Sequence, residues 1–116
     1  MVVRYWQEDF CTVVHIAGDL DVSGAPRLRG ELDQAMASAD PLNLVIDLTE
    51  VPFCDSVGLG VLVSTLNQTR RARGRLILVL DDGMIRHLLT ITNLDRYFET
   101  SSSLGEARAA LDEAAA

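Results

Sequence analysis

The chain has 116 residues and a formal net charge of −7, with 48% hydrophobic and 23% charged residues. This length can bury one hydrophobic core but not two, so we expect a single domain over residues 1–116. The negative charge disfavours sequence-independent binding to nucleic acid. Because no apolar run approaches the roughly 18–20 residues of a membrane span and the N-terminus lacks a secretory signal, we expect a cytoplasmic protein without direct membrane contact.

The first third of the chain predicts two strands and a helix. Residues 2–6 and 10–17 are rich in Val, Thr and aromatic residues, which favours a strand pair. The helix is predicted from Ser23 to Ser38, with Ser23 as its N-cap and Pro26 tolerated in the first turn. Its buried face has the i, i+3, i+4 spacing and consists of Ala25, Leu28, Leu32, Ala35 and Met36.

The middle of the chain predicts two buried strands around a second helix. Asp40-Pro41 ends the first helix, and residues 42–48 form the nearly continuous apolar run of a strand that is covered on both faces. The second helix is predicted from Ser56 to Arg73, with Gly74 as its C-terminal stop. Residues 75–80 predict another buried strand. The inward residues of the second helix are Leu59, Leu62, Val63 and Leu66.

The last third predicts a short helix over residues 84–91, a short strand at Tyr97-Phe98 and a final helix. Residues 103–106 have the capping-box pattern for that helix, with Ala107 and Leu111 facing inward. The element order is therefore β-β-α-β-α-β-α-β-α. It predicts an α/β fold with a single mixed β-sheet, parallel central strands joined by right-handed crossovers, and about four α-helices.

An Asp-Ser pair and two glycines open the second helix. The Ser56 hydroxyl should lie near the helix N-terminus, where unpaired N–H groups and the helix dipole favour negative charge. Ser56 or Asp55 could serve merely as an N-cap. A cap does not require Gly58 and Gly60, however, and each glycine costs about 0.5–1 kcal/mol relative to Ala in a helix. Glycines here suit a surface that another backbone or a nucleotide approaches closely.

Two valines of the second helix also indicate a binding surface. Val57 and Val61 share the helix face opposite the inward leucines, which predicts exposed apolar side chains beside the glycines. We therefore expect this side of the second helix to bind another molecule.

A catalytic role for Ser56 has little support from the sequence. Cys54 breaks the G-x-S-x-G pattern of a nucleophile elbow, and the candidate bases are His15 in a strand and His87 in the third helix. The two histidines lack the paired spacing of a metal site. Cys11 and Cys54 match no zinc or C-x-x-C motif and are predicted to be buried, reduced thiols. We expect no enzyme activity, no metal and no cofactor.

The run DLTEVPFCDSVGLGVLV, with GDLDVSGAPRL upstream and the βαβ order over essentially the whole chain, resembles the STAS domain family. It is most similar to the free-standing bacterial anti-sigma factor antagonists, whose D-S-x-G-L-G signature is fairly specific. The resemblance implies transcription regulation by partner switching. The unphosphorylated protein binds an anti-sigma factor with serine kinase activity, which frees the sigma factor. Phosphorylation ends that binding, and a PP2C-type phosphatase restores it.

The resemblance also assigns roles to residues. It makes Ser56 the phosphoacceptor, Asp55 the adjacent acidic residue, and Gly58 and Gly60 the close-contact glycines. The loop from Gly18 to Asp21 lines the same partner surface. The partner-binding residues implied in this way are Asp21, Ser23, Asp55, Ser56, Val57, Gly58, Gly60 and Val61.

Two alternatives stay open from the sequence. A STAS subunit could dock on a transport ATPase, as in bacterial lipid transport, through the same helix face without phosphorylation. A STAS module could instead sense a nucleotide, with the arginine-rich segment 70–75 as its anion site, although this segment is predicted mainly to complement a helix C-terminus. Asn93 stands where relatives commonly carry Gly, but Asn tolerates the left-handed conformation of the predicted turn.

Overall fold

The computed structural model describes residues 1–39 and 42–115, with side chains up to residue 113. Its strands are β1 Val2–Gln7, β2 Thr12–Ala17, β3 Asn43–Glu50, β4 Arg75–Val79 and β5 Glu99–Ser101. Its helices are α1 Ala25–Ala37, α2 Ser56–Arg71, α3 Met84–Ile91 and α4 Leu104–Ala115, with a short 3-10 helix at Leu94–Arg96. The predicted fold class and element order are confirmed.

The five strands form one mixed sheet that is covered on both faces. They lie in the order β1-β2-β3-β4-β5, with β1 antiparallel to β2 and the other neighbours parallel. Because successive strand residues point to opposite faces, Val14 joins the larger core with α1, α2 and α3, whereas Val13 joins the smaller core under α4. Ala107 and Leu111 of α4 are buried there, as predicted.

The turn before α1 differs from the prediction. Gly24 occupies the N-cap position without a side-chain cap, and the helix begins at Ala25. The Ser23 hydroxyl donates instead to the Asp21 carboxylate, 2.7 Å away, which also accepts the N–H groups of Ser23 and Gly24. The prediction of Ser23 as N-cap is therefore wrong, because Asp21 engages that hydroxyl. The break at residues 40–41 lies outside the described residues.

Gly74, which was predicted to stop the second helix, has a different role in the structure. The helix ends at Arg71, and Arg73 rather than Gly74 adopts the left-handed conformation, with φ of 60°. A Cβ on Gly74 would collide with the Leu42 carbonyl group, whose carbon would lie 2.6 Å away. Gly74 is thus needed for the close approach of two backbone segments, and the left-handed residue after the helix is Arg73.

The last strand begins two residues later than predicted. Residues 94–96 form the 3-10 helix and Tyr97 ends it, so pairing with β4 starts at Glu99. Asn93 has φ of 59°, the left-handed conformation expected of it. At α4, Ser103 accepts the Glu106 N–H, as in a capping box.

Asp47 makes the stability of this fold sensitive to acid. Its carboxylate accepts hydrogen bonds from the Thr49 N–H and hydroxyl, at 3.0 and 2.7 Å, and lies 3.2 Å from His15 Nδ1. Burial works to raise the pKa of Asp47, but these hydrogen bonds outweigh it and the pKa is lowered overall. A lowered pKa stabilises the folded state above the unfolded-state pKa, and this contribution is lost as the pH falls through the folded-state pKa.

We therefore expect Asp47→Asn to lower the free energy of unfolding at neutral pH. As the pH falls below 3.8, the ordinary pKa of an Asp side chain, the wild-type protein loses the Asp47 contribution and the difference between the two proteins should shrink. Urea denaturation at a series of pH values measures this. Asp33→Asn, at an exposed position of α1, is the control. An equal pH dependence for wild type and Asp47→Asn would contradict the expectation.

Candidate functional site

The N-terminus of α2 lies directly against the loop between β2 and α1. The Leu20 N–H donates to the Phe53 carbonyl at 2.9 Å, and the Asp55 N–H donates to the Leu20 carbonyl at 3.2 Å. Leu20 and Cys54 form an isolated parallel bridge. The structure thus brings together the two sequence segments that the resemblance placed on one surface.

Asp55 is the N-cap of α2, and its two carboxylate oxygens have different partners. Oδ1 accepts the Gly58 N–H at 2.8 Å, which caps the helix, and Oδ2 accepts the Val22 N–H at 3.0 Å, which connects the helix to the loop. Both bonds are made within the chain. The structure therefore favours Asp55 over Ser56 as the cap.

Ser56 is the first residue of α2, and it is exposed. Its hydroxyl makes no hydrogen bond to any other residue that the structure describes. The hydroxyl is therefore accessible to an enzyme and lies at the positive end of the helix.

The two glycines of the motif have different surroundings. Gly58 is buried, and a Cβ there would collide with Leu20, whose carbonyl carbon and Cγ would each lie 2.9 Å away. Gly60 is exposed, and apart from its chain neighbours and the backbone of its own helix, no described heavy atom lies within 4 Å of the place where its Cβ would be. Gly58 thus serves packing within the chain, whereas Gly60 leaves open surface for another molecule.

The two valines also differ from each other. Val57 is 43% exposed, as expected, but Val61 is 1% exposed and belongs to the larger core. The prediction that Val61 shares an exposed face is wrong, because the buried sector of α2 is wider than the leucine stripe. Thr65, one turn later, is buried on the same side.

Three further exposed apolar side chains lie around the Ser56 turn. Val22 is 63% exposed, Phe53 44% and Met84 39%. Val22 lines a groove with Val57, and the Met84 sulfur accepts the Cys54 N–H at 3.3 Å, next to Phe53. We call Val22, Phe53, Val57 and Met84 the apolar rim. Sequence periodicity missed it because three of its members lie outside α2, in a loop, a connecting segment and the start of α3.

Asp21 and Ser23 shape the loop beside this rim. The hydrogen bond from the Ser23 hydroxyl is the largest cause of a lowered pKa for Asp21, with further contributions from the Gly24 and Ser23 N–H groups. The Asp21 carboxylate is thus held as an anion, and its bonds to residues 23 and 24 define the turn that precedes α1.

The surroundings of Ser56 offer no partner for nucleophilic catalysis among the described residues. Burial, followed by the charge of Asp55, raises the pKa of Cys54 to about 11, so this thiol stays protonated at neutral pH. Both ring nitrogens of His15 are held, by Asp47 at 3.2 Å and Glu50 at 2.6 Å. Neither His15 nor the exposed His87 makes a hydrogen bond to Ser56.

Metal binding and membrane spanning are two further possibilities for the described residues. No group of three or more His, Cys, Asp or Glu side chains is arranged to hold a metal ion. None of the helices combines the length and the apolar character needed to cross a membrane.

The arginine-rich segment 70–75 contacts its own chain. The Arg70 guanidinium donates to the Tyr97 carbonyl at 2.9 Å. Arg75 donates to the Glu99 carboxylate and to the Ala110 carbonyl, and the bond to Glu99 raises its pKa. Arg70 and Arg71 lie in the last turn of α2, where positive charge complements the helix dipole. These contacts fit the structural interpretation of the segment.

Comparison with known proteins identifies the family. The model of the STAS domain matches residues 4–107. The chain is 35% identical over 94 residues to the anti-sigma-B factor antagonist of Listeria monocytogenes, which covers 80% of this chain and 81% of that protein. It is 41% identical over 91 residues to the anti-sigma-B factor antagonist of Bacillus subtilis, which covers 77% and 80%.

A solved structure supports the same assignment. The crystal structure of an anti-sigma factor antagonist from Mycobacterium paratuberculosis matches with a TM-score of 0.85 and 29% identity, over 96% of this chain and 93% of that one. The resemblance noted in the motif residues is thus confirmed over most of the sequence and fold. The chain belongs to the STAS domain family.

Proposed function

We propose that this chain is an anti-sigma factor antagonist that works by partner switching. In its unphosphorylated form it binds a cognate anti-sigma factor with serine kinase activity and releases the sigma factor. Phosphorylation of Ser56 by that kinase ends binding, and a PP2C-type phosphatase restores the active form. The names of the STAS relatives support the antagonist role.

The observation that carries the proposal is the exposed Ser56 hydroxyl beside the apolar rim. Exposed apolar side chains that lie close together are typical of a protein-binding surface. Ser56 is adjacent in sequence to Val57 of the rim, so a kinase that docks on these side chains would have the hydroxyl within its contact surface. One surface would thus serve for both recognition and modification.

The position of Ser56 also suits a reversible charge change. A phosphate adds about −1.5 to −2 charge at neutral pH. The first turn of α2 tolerates it, because the helix dipole is positive there. In a closed interface the same charge would be desolvated next to Asp55. The modification is therefore expected to repel the partner and leave the fold intact.

The partner-binding residues implied by the sequence have different roles in the proposed surface. Val57 and Gly60 present surface to the partner, and Asp21 and Ser23 shape the adjoining loop. Gly58 and Val61 are buried and support the surface from behind. The chain acts as a single STAS domain over residues 1–116, with Ser56 as a kinase substrate and no catalytic role of its own. Because sigma factors act in the cytoplasm, we place its action there.

The names of the relatives favour this role over docking on a transport ATPase or nucleotide sensing. The contacts of Arg70 and Arg75 within the chain also leave less of the arginine-rich segment available to an anion.

The test is phosphate transfer to Ser56. After incubation with ATP and a kinase-type anti-sigma factor from the source organism, the wild-type protein is expected to gain the mass of one phosphate, because its hydroxyl is accessible. Ser56→Ala should gain none under the same conditions, and intact-mass spectrometry measures both. A phosphate on Ser56→Ala, or none on the wild type with any such kinase of that organism, would contradict the proposal.

A further inference from the structure

We infer that Asp55 is a positioning residue for the anti-sigma factor interface. It holds the Val22 side chain in the apolar rim through a bond to the Val22 backbone, and Val22 is thereby an anchor for the partner. This inference rests on the proposed function and deepens it. The sequence motif suggested instead that Asp55 contacts the partner itself.

Both oxygens of Asp55 are already engaged within the chain. Oδ1 accepts from Gly58 at 2.8 Å and Oδ2 from Val22 at 3.0 Å. Hydrogen bonds to an ionised carboxylate are stronger than those between neutral groups. A partner that bound Asp55 directly would have to compete with these bonds, so the geometry favours an internal role.

The bonds along the loop show what Asp55 contributes. Leu20 is held on both sides by backbone bonds to Phe53 and Asp55. The N–H groups of Ser23 and Gly24 are held by the Asp21 carboxylate. Between these points, the Val22 N–H is held by Asp55. Asp55 is therefore the link between the outer part of the loop and α2.

Val22 is the member of the apolar rim that depends most on its backbone for its position. Its side chain is 63% exposed, compared with 44% or less for the other three. An exposed side chain has few packing neighbours, so the backbone bond to Asp55 is what sets its place. Fixing a contact residue before binding lowers the entropy cost of forming the interface.

Asp55→Asn separates the two functions of the carboxylate. Asn is as good an N-cap as Asp, so the single oxygen can still accept the Gly58 N–H. The amide NH₂ group cannot accept from the Val22 N–H. We expect faster hydrogen exchange at the Val22 amide, unchanged exchange at the Gly58 amide and a melting temperature lowered by only a few degrees, because one hydrogen bond to the carboxylate is lost while the helix cap is kept.

Binding is then measured in a double-mutant cycle with the anti-sigma factor of the source organism that binds the wild-type chain, by titration calorimetry. Asp55→Asn and Val22→Ala are each expected to weaken binding about tenfold. The double variant should be little weaker than either single one, because both changes remove the same contact. Asp112→Asn, at an exposed position of α4 on the opposite face of the sheet, is the control for the lost charge and should bind as the wild type does.

The outcomes separate this inference from the function it rests on. If the two losses multiply to about a hundredfold, or Asp55→Asn binds normally although its Val22 amide exchanges faster, the positioning role is overturned. If that happens while phosphorylation still ends wild-type binding, the proposed function stands without it. If no anti-sigma factor of the source organism binds the wild-type chain, both are overturned.

Discussion

Phosphorylation of Ser56 is expected to weaken binding to the anti-sigma factor several-hundredfold, a loss of about 3–4 kcal/mol. The exposed hydroxyl lies next to Asp55 and within the apolar rim, so a bound partner would exclude water from the new dianion. An uncompensated charge in such an interface is strongly unfavourable. Titration calorimetry on the phosphorylated and unphosphorylated proteins measures the difference.

Variants isolate the effect of charge. Ser56→Ala should bind the partner and continue to bind after incubation with ATP. Ser56→Asp should bind poorly. Asn67→Asp adds the same single charge at an exposed position further along α2 and should bind normally. All three should keep a wild-type melting temperature within a few degrees. Equal affinity of the phosphorylated and bare forms would show that Ser56 is not the switch.

Gly58→Ala is expected to lower the free energy of unfolding by about 2–3 kcal/mol, in the range of overpacked interiors. The added Cβ would collide with the carbonyl group of Leu20, and backbone atoms cannot move aside as a flexible side chain can. The β2–α1 loop would have to move away from α2, which would also disturb the surface around Val22. Chemical denaturation gives the stability, and calorimetry with the anti-sigma factor gives the affinity.

Gly60→Ala is the matched control, two residues along the same helix. Beyond its own helix backbone and chain neighbours, no described atom lies within 4 Å of its added Cβ. Because Ala is favoured over Gly in a helix interior, we expect a gain of about 0.5–1 kcal/mol in the free energy of unfolding. The affinity of Gly60→Ala for the anti-sigma factor tests whether the partner approaches this position. A loss of affinity would arise from contact between the added Cβ and the partner. Equal destabilisation by the two substitutions would contradict the distinction drawn between the glycines.

The sequence motif indicated a candidate site at the start of α2, but it did not separate the residues that pack within the chain from those that are exposed. A D-S-x-G-L-G run indicates that another group lies close to each glycine. It does not show whether that group belongs to the same chain or to another protein. For Gly58 that neighbour is Leu20, which precedes it by 38 residues in the sequence. Val61 was misplaced for a similar reason, because the width of the buried face of α2 depends on the elements that pack against it.

By itself, the sequence determined the element order and the position of Ser56 at the start of the second helix, and the element order in turn implied a mixed sheet. These follow from local periodicity, turn residues and short-range capping, which a single segment carries on its own. The tertiary structure alone decided that Asp55 holds Val22, that Gly58 faces Leu20 and that Phe53 and Met84 join one apolar rim. Each of these depends on contacts between distant segments, which form only when the sheet and helices pack together.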